Sequence, residues 1–329
     1  MASAPRQQRF RLHDRRGHRR RRRPKRPLTM HRLTGDIVSH ERKTVAVLGA
    51  GTMGSGIAVV MARAEHRTIL FDLDETNLQR GIDTVHGFFD KGVELGKLTA
   101  AQANAAKESI TGTTDLTDVA PSDVVVEAVY EDLSVKKEIF GRLDGIVAHE
   151  TLIHTNTSTL SVTGIASGSR HPERVVGTHY CNPAPLMKLV EVADGRHTAA
   201  WAHKATIDLL RSVGKTCVVT KDRPGFIVNR FLIPWENSCI HALEAGLGTK
   251  ESIDAAVLGT LGHPMGPFRL LDIVGMDIHQ QVATRLYEQL RDPRFFPPPM
   301  VERMVAAGDL GRKTGRGFYE YDDTRLFGS

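Results

Sequence analysis

Short apolar runs alternate with segments of helical period along residues 44–221. Val45-Ala46-Val47-Leu48, Thr68-Ile69-Leu70-Phe71, Asp123-Val124-Val125-Val126-Glu127-Ala128, Leu152 to Thr155, Val175-Val176-Gly177-Thr178, Leu189-Val190-Glu191-Val192 and Cys217-Val218-Val219-Thr220 read as strands. Their nearly continuous apolar character is that of strands buried on both faces, as in a parallel sheet covered by helices. Between them, Ile57, Val60, Met61 and Ala64 mark one helix face, and further helices are predicted over 79–95, 133–143 and 200–213. Strand and helix in alternation predict an α/β fold with a Rossmann-type doubly wound, mostly parallel sheet.

The pattern changes at Asp222-Arg223-Pro224-Gly225. Beyond it, Ile227, Leu232, Trp235, Ile240 and Leu243 fit one long helix kinked at Pro234, and shorter helices are predicted over 251–261 and 276–290. Gly262 to Phe268 reads as the turn between them, with His263 in a packing role, and Pro297-Pro298-Pro299 as a stiff surface connector. Trp235 and Met276 are expected in the core or at a subunit contact. The expected organisation is a leader over 1–43, a nucleotide-binding domain over 44–221, and a smaller all-helical domain over 222–329.

Composition agrees with two packed domains. The 329 residues are 40% hydrophobic and 25% charged, which excludes disorder throughout, collagen-like repetition and a disulfide-dense miniprotein. No run of about 18 apolar residues is present, so no membrane span is expected. Cys181, Cys217 and Cys239 are far apart in the chain, which fits reduced thiols and a cytoplasmic protein. The spacing of candidate ligands assigns no metal site.

The net charge of +6 suggests an anionic partner until it is divided. Residues 1–43 hold 15 of the 44 Lys and Arg but only 3 of the 38 Asp and Glu, so the remainder is net acidic by 6. The run Arg19 to Arg23 has no apolar periodicity and no apolar core of a secretory signal; the leader is expected to be disordered. It reads either as upstream sequence ahead of a true start near Met30 or as a basic patch for nucleic acid or nuclear import. Nucleic acid is not the expected partner of the folded part.

The first strand enters Gly49-Ala50-Gly51-Thr52-Met53-Gly54, a G-x-G-x-x-G followed by the helix pattern, and the second strand ends in Asp72. Gly49 permits the tight turn, Gly51 lets backbone approach a pyrophosphate, and Gly54 allows close helix–strand packing, with Thr52 and Met53 opening the helix. The helix N-terminus offers free N–H groups and its positive dipole end to phosphates. Asp72 suits adenosine ribose hydroxyls and repels a 2′-phosphate, and Leu73 rather than an arginine follows; this favours NAD over NADP.

Other polar groups fall where strands end: Glu131 to Lys136, Asn156 to Ser158, and His179 to Asn182. A histidine there fits a general base, because its ordinary pKa lies near neutrality. The chain has 15 histidines, so position alone does not separate this reading from a surface residue. Glu191, flanked by apolar residues, needs a partner, and His179 suits it.

The motifs Asn156-Thr157-Ser158-Thr159-Leu160, His179-Tyr180-Cys181-Asn182-Pro183, Met187-Lys188-Leu189-Val190-Glu191 and Pro224-Gly225-Phe226-Ile227-Val228-Asn229-Arg230 follow the fingerprint in order. With Gly311-Arg312-Lys313-Thr314-Gly315-Arg316-Gly317-Phe318-Tyr319 they resemble the L-3-hydroxyacyl-CoA dehydrogenase family, 3-hydroxybutyryl-CoA dehydrogenases included, over about residues 44–321. The resemblance implies NAD-linked oxidation of a 3-hydroxyacyl-CoA to the 3-ketoacyl-CoA, with His179 as general base and Glu191 as its partner. It implies that Ser158 and Asn229 hold the substrate oxygens, and that Glu131, Lys136, Ser158, Asn182 and Lys313 join Asp72 in contacting NAD. It also implies a homodimer through the helical domain.

Two departures bear on the substrate. Tyr180 and Cys181 stand where the family usually has two phenylalanines, and Phe88 and Leu95 align with its CoA-contacting serine and lysine. Lys91 and Lys97 are candidate replacements. A carrier-protein thioester, or a free hydroxy or sugar acid of the gulonate type, therefore stands as an alternative substrate. A nucleic-acid-binding protein using the leader is the alternative of another class.

Overall fold

The computed structural model describes residues 41–322, so the expectations for the arginine-rich run and for Met30 lie outside the described residues. The first half of the described chain is one eight-stranded sheet with helices on both faces. Its elements are β1 (Thr44–Leu48), α1 (Thr52–Arg63), β2 (Arg67–Phe71), α2 (Glu75–Glu94), α3 (Ala100–Glu108), β3 (Ile110–Thr113), β4 (Val124–Glu127), α4 (Leu133–Leu143), β5 (Leu152–Thr155), α5 (Val162–Ala166), β6 (Val175–Tyr180), β7 (Leu189–Asp194), α6 (Ala200–Ser212) and β8 (Thr216–Lys221). The strand order is β3-β2-β1-β4-β5-β6-β7-β8. The chain runs outward from β1 to β3 and then returns to pair β4 on the other side of β1, with Leu48 opposite Glu127. That reversal opens a crevice beyond the carboxyl ends of β1 and β4, the place where ligands sit in such sheets.

The apolar runs are explained by burial on both faces. Val45, Val47, Leu70, Val124 and Val126 pack under α1 and α2, whereas Ala46, Leu48, Phe71, Val125 and Ile153 pack against Phe140 and Leu143 of α4 and Val162 and Ile165 of α5. One pair breaks the parallel rule. β6 and β7 are antiparallel, joined by the connection over residues 181–188, and their register sets His179 directly opposite Glu191.

The second half is helical: α7 (Val228–Glu244), α8 (Lys250–Leu261), α9 (Pro267–Val274), α10 (Met276–Leu290) and α11 (Pro299–Ala307). Pro234 lies inside α7. Phe268, Leu271, Met276 and Val301 form the core there, with Trp235 packed on it and its ring 5.3 Å from that of His263. Buried carboxylates hold the closing segment. Asp272 accepts from the amides of Phe318 and Tyr319 at 2.8 Å, and a Cβ on Gly317 would lie 2.1 Å from Asp272 Oδ1. This accounts for the glycine-rich Gly311 to Tyr319 motif in packing terms.

Several elements differ from the sequence reading. The proline run is not a surface connector: Pro297 and Pro298 are buried and Pro299 opens α11, a position where a missing N–H costs nothing. The turn expected over residues 262–268 already contains the start of α9, opened by Pro267. The short β3, with its polar Ile110-Thr111-Gly112-Thr113, and α3 and α5 carried too little apolar period to be read.

One strand residue carries a pH liability. His154 on β5 is fully buried, and its Nε2 lies 2.9 Å from Thr206 Oγ1 on α6. The Thr206 hydroxyl donates to Ala202 O, so the ring donates through Nε2 and leaves Nδ1 with no partner. Burial pushes the imidazole down to about 3. The unfolded chain therefore takes up a proton below its ordinary pKa of about 6.5 that the folded chain refuses, and stability falls by up to about 1.4 kcal/mol per pH unit from there towards pH 3. Replacing His154 by Leu is expected to remove about 2 kcal/mol of the stability difference between pH 7 and pH 5, read from urea denaturation. Equal acid limbs in the two proteins would exclude this source.

Candidate functional site

The Gly-rich turn is shaped by steric demands on both flanks. Gly49 has φ +99°, and a Cβ there would lie 2.7 Å from Ala128 O on the neighbouring strand exit. A Cβ on Gly54 would lie 1.7 Å from Gly49 O, so helix and turn touch backbone to backbone. Gly51 differs: a Cβ there meets nothing within 4 Å. Its open face is the space over the start of α1, a helix with no side-chain cap and no acid in its first turn. The N–H groups that begin at Thr52 and Met53 are thus presented to the crevice with the positive dipole end, as a pyrophosphate requires. Asp72 Oδ2 accepts from Ala50 N at 2.8 Å and Oδ1 from Asp74 N at 3.1 Å, which fixes its carboxylate beside this turn. The residues present fit a dinucleotide.

Beside the turn, a buried ion triad closes the end of β4. Lys136, on α4 and only 1% exposed, places Nζ 2.6 Å from Glu127 Oε1 and 3.1 Å from Glu131 Oε2. Burial alone lowers the lysine, but the two carboxylates outweigh it and keep the ammonium charged. Glu127, also fully buried, further accepts from Thr155 Oγ1 at 2.7 Å and Val129 N at 2.9 Å. Its carboxyl is still pushed up by burial. Burial would raise Glu131 too, yet Lys136 and the donors Thr157 Oγ1, Thr159 N and Ser158 N hold it at about 2. Glu131 is therefore an anion that pins the loop after β5, with bonds of 2.6 Å to Thr157 Oγ1, 2.9 Å to Ser158 N and 3.0 Å to Thr159 N. The Ser158 hydroxyl makes no hydrogen bond among the described residues.

The third part of the site is built on the antiparallel pair. His179 Nδ1 lies 2.8 Å from Glu191 Oε2. The other oxygen, Oε1, accepts from the amides of Ile227 at 2.8 Å and Val228 at 3.0 Å, at the very start of α7. Burial would raise Glu191, but His179 and the Val228 and Ile227 amides hold it below the ordinary carboxylate range. An ionised carboxylate only accepts, so Nδ1 carries a hydrogen, and in the neutral ring Nε2 presents the lone pair. Nε2 has no partner among the described residues. The turn into α7 is strained: Gly225 has φ +76° and Phe226, which stacks 5.7 Å from the His179 ring, has φ +44°. A left-handed aromatic residue persists only where its surroundings hold it, here through burial of its ring and the two bonds to Glu191.

The sequence-predicted residues distribute as follows. His179 and Glu191 are in contact, Asn229 lies one residue into α7 beyond the amides bound to Glu191, and Asn156 Oδ1 ties the Ser158 loop to β6 by accepting from Tyr180 N at 3.0 Å. Asn182 is exposed at the end of β6. Lys136 faces two carboxylates in the interior. Lys313 lies in the helical half, where its Nζ pairs with both oxygens of Asp277 at 2.6 Å. Glu127 escaped notice in the sequence; an acid closing a run of three valines was the available signal. On α2, Lys91 pairs with Glu94 at 3.1 Å, and Leu95 is exposed. Cys181 is a quiet neighbour, its thiol raised to about 11 by burial and by the Glu191 charge.

The family described as 3-hydroxyacyl-CoA dehydrogenase, NAD binding domain, matches residues 44–223, and the one described as 3-hydroxyacyl-CoA dehydrogenase, C-terminal domain, matches residues 225–321. The chain is 41% identical over 279 residues to a 3-hydroxybutyryl-CoA dehydrogenase of Mycobacterium tuberculosis, covering 84% of this chain and 98% of the relative. Among solved structures it resembles FadB2 of M. tuberculosis, with TM-score 0.83 and 40% identity over 86% of this chain and all of the other. It also resembles the (S)-3-hydroxybutyryl-CoA dehydrogenase PaaH1 of Ralstonia eutropha, with TM-score 0.79 and 38% identity, again over 86% and 100%.

The contrast between two glycines separates folding from cofactor binding. Gly51→Ala is expected to leave the melting temperature within a few degrees of wild type, since φ is −70° and the space is open, while weakening NADH binding at least about tenfold by filling the pyrophosphate cradle. Gly54→Ala is expected to lower the melting temperature outright through its clash with Gly49 O. NADH fluorescence titration beside thermal melts reads both, and unchanged affinity in Gly51→Ala would remove the pyrophosphate from that position.

Proposed function

The chain belongs to the 3-hydroxyacyl-CoA dehydrogenase family, an NAD-dependent group, and we propose that it oxidises a short-chain L-3-hydroxyacyl-CoA such as 3-hydroxybutyryl-CoA reversibly to the 3-ketoacyl-CoA. The observation that carries the reading is the buried His179–Glu191 pair, with no partner at Nε2 among the described residues. Removing hydride from an alcohol carbon requires the hydroxyl proton to leave as well. A neutral imidazole with its lone pair at Nε2 accepts that proton, and Glu191 at Nδ1 holds the ring in that tautomer and stabilises the imidazolium that forms. In reduction the same Nε2–H returns the proton to the keto oxygen.

When bound, NAD supplies the hydride acceptor. In this reading Gly49, Gly51, Thr52, Met53 and Gly54 cradle its pyrophosphate and Asp72 takes the ribose hydroxyls. The free hydroxyl of Ser158 and the side chain of Asn229 orient the substrate oxygens. Glu131 and Lys136 contribute by fixing the Ser158 loop, and Asn182 and Lys313 border the cofactor. The crevice is shared by both halves, since Arg285 on α10 stands over the ring of Tyr130, 6.0 Å from its centroid.

We also assign residues 222–329 to substrate binding and to a homodimer. Phe231 at 73% and Leu247 at 81% exposure, with Leu261 and Phe296, leave large apolar side chains on the helical half, as a subunit contact requires. A cytoplasmic location accords with three free thiols. Among the described residues no helix is long and apolar enough to cross a membrane.

Four measurements test this reading. His179→Gln is expected to lower kcat by about 100-fold to 10,000-fold with NADH affinity intact. Glu191→Gln is expected to lower kcat comparably while the protein stays folded, because the new amide oxygen still caps α7 but its NH2 forces Nδ1 to accept and moves the ring hydrogen to Nε2. Full activity in either variant rejects the assigned base. A panel of 3-ketoacyl-CoA lengths beside free keto acids, followed by NADH absorbance, should show fastest turnover with acetoacetyl-CoA; preference for a free acid would favour the gulonate-type alternative. Light scattering on a sizing column should give twice the chain mass.

A further inference from the structure

We propose that His149, His171 and Glu173 form a binding site for one divalent transition-metal ion of the zinc or nickel type, at the end of the sheet opposite the dehydrogenase crevice. The donor atoms stand at coordination spacing. His149 Nε2 and His171 Nδ1 each lie 3.5 Å from Glu173 Oε1, and all three ligand atoms lie within 4.8 Å of one another. Hydrogen bonds to oxygen centre near 2.9 Å, so neither imidazole serves this carboxylate well as a donor. A tetrahedral ion with bonds of about 2.0–2.2 Å sets its ligand atoms about 3.3–3.6 Å apart, which is the separation found in both His–Glu pairs. Two imidazoles and one carboxylate suit zinc, nickel, cobalt or copper, whereas calcium and magnesium take oxygen ligands.

The backbone that carries the three ligands is pinned before any ion arrives. Arg174, adjacent to Glu173 and fully buried, donates from Nη1 to Ala148 O at 2.5 Å and His149 O at 3.3 Å, and from Nη2 to Asp144 Oδ1 at 2.8 Å. Asp144 also accepts from Ser169 Oγ at 2.7 Å, and that same Oγ accepts from His171 N at 2.9 Å. The His149 loop and the His171–Glu173 turn are thereby joined through one buried ion pair, leaving little backbone for an ion to order. The two imidazole rings stand edge to face, 4.3 Å between centroids. The side chains of His149, His171 and Glu173 are 58%, 34% and 36% exposed, so an ion has access and water completes its coordination.

Position sets the role. His149 precedes β5 and Glu173 precedes β6, whereas His179 lies near the far end of β6. Six residues of strand at about 3.3 Å each put the cluster on the order of 20 Å from the catalytic histidine. An ion there takes no part in proton or hydride transfer. It cross-links the segments that enter two adjacent parallel strands, and because it binds the folded chain it raises stability by mass action. Ligands 22 residues apart, in two loops, have no spacing that sequence reading recognises, which is why the sequence assigned no metal.

Calorimetric titration of the full chain with ZnCl2 or NiCl2, beside thermal melts with and without the metal, tests the site. The expected result is one ion per chain and a raised melting temperature, both lost in the His149→Ala, His171→Ala double variant while kcat is unchanged. Each single variant should weaken binding at least about tenfold, since even outer-shell changes cost about 10–100-fold. Because zinc can also bind at Nε2 of His179, His179→Gln is the control and should bind as wild type does. Absence of binding to the full chain, binding retained in the double variant, or binding lost in His179→Gln overturns the proposal.

Discussion

The Glu191 carboxylate is the interaction on which the rest of the site depends. It is buried and ionised, and such a charge is tolerated only when its acceptor sites are filled. Three donors fill them, from two different parts of the chain: the His179 ring, and the two adjacent amides at the start of α7 on either side of the helix boundary. One anion thus caps a helix, fixes a tautomer and compensates a strained aromatic residue at Phe226. The single antiparallel pair in the sheet follows from the same demand. Parallel strands joined by a crossover would not place residues 12 apart opposite each other, whereas the short β6–β7 connection does.

A second buried charge cluster performs the matching task at the switch point. Glu127 and Glu131 share Lys136, and the surplus negative charge is absorbed by hydroxyls and amides of the loop after β5. The two frames meet at Asn156, whose side chain accepts from the Tyr180 amide and so locks the Ser158 loop to the strand that carries His179. Reacting groups that must hold fractions of an ångström are placed by charges that have nowhere else to go.

Much of this was legible in the sequence, and the boundary has physical causes. The fold class was readable because both sheet faces are covered, making strands continuous apolar runs. The Gly49 to Gly54 turn was readable because Gly49 and Gly54 answer steric demands that no other residue meets, and Gly51 leaves open the face a pyrophosphate would take. Helices over 133–143 and 276–290 were readable from their period, whereas α3, with its run of alanines, was not. The pairing of His179 with Glu191 was anticipated from their chemistry, but its cause was hidden, because register is a property of two strands. Lys136 shows the limit from the other side. A lysine near a strand end reads as a ligand for phosphate or cofactor, and only the fold reveals two carboxylates that occupy it. The proline run misled for a similar reason: stiffness was evident, but Pro299 opening a helix and its neighbours' burial depend on what packs over them.

Opposite ends of the same strands show how little separates two chemistries. At one end of β6 a histidine meets a glutamate at 2.8 Å, in the interior, with the other glutamate oxygen saturated by amides. A proton is the only cation that fits between such atoms, and one ring nitrogen remains to exchange it with a substrate. At the other end two histidines each stand 3.5 Å from one glutamate in partial exposure, with no amide on the carboxylate among the described residues. A proton bridges that gap poorly, and an ion with bonds of about 2 Å bridges it well. Residue type is the same in both places. What assigns a His–Glu pair to proton transfer or to metal coordination is the separation of the donor atoms and whether the surrounding backbone has already satisfied the carboxylate.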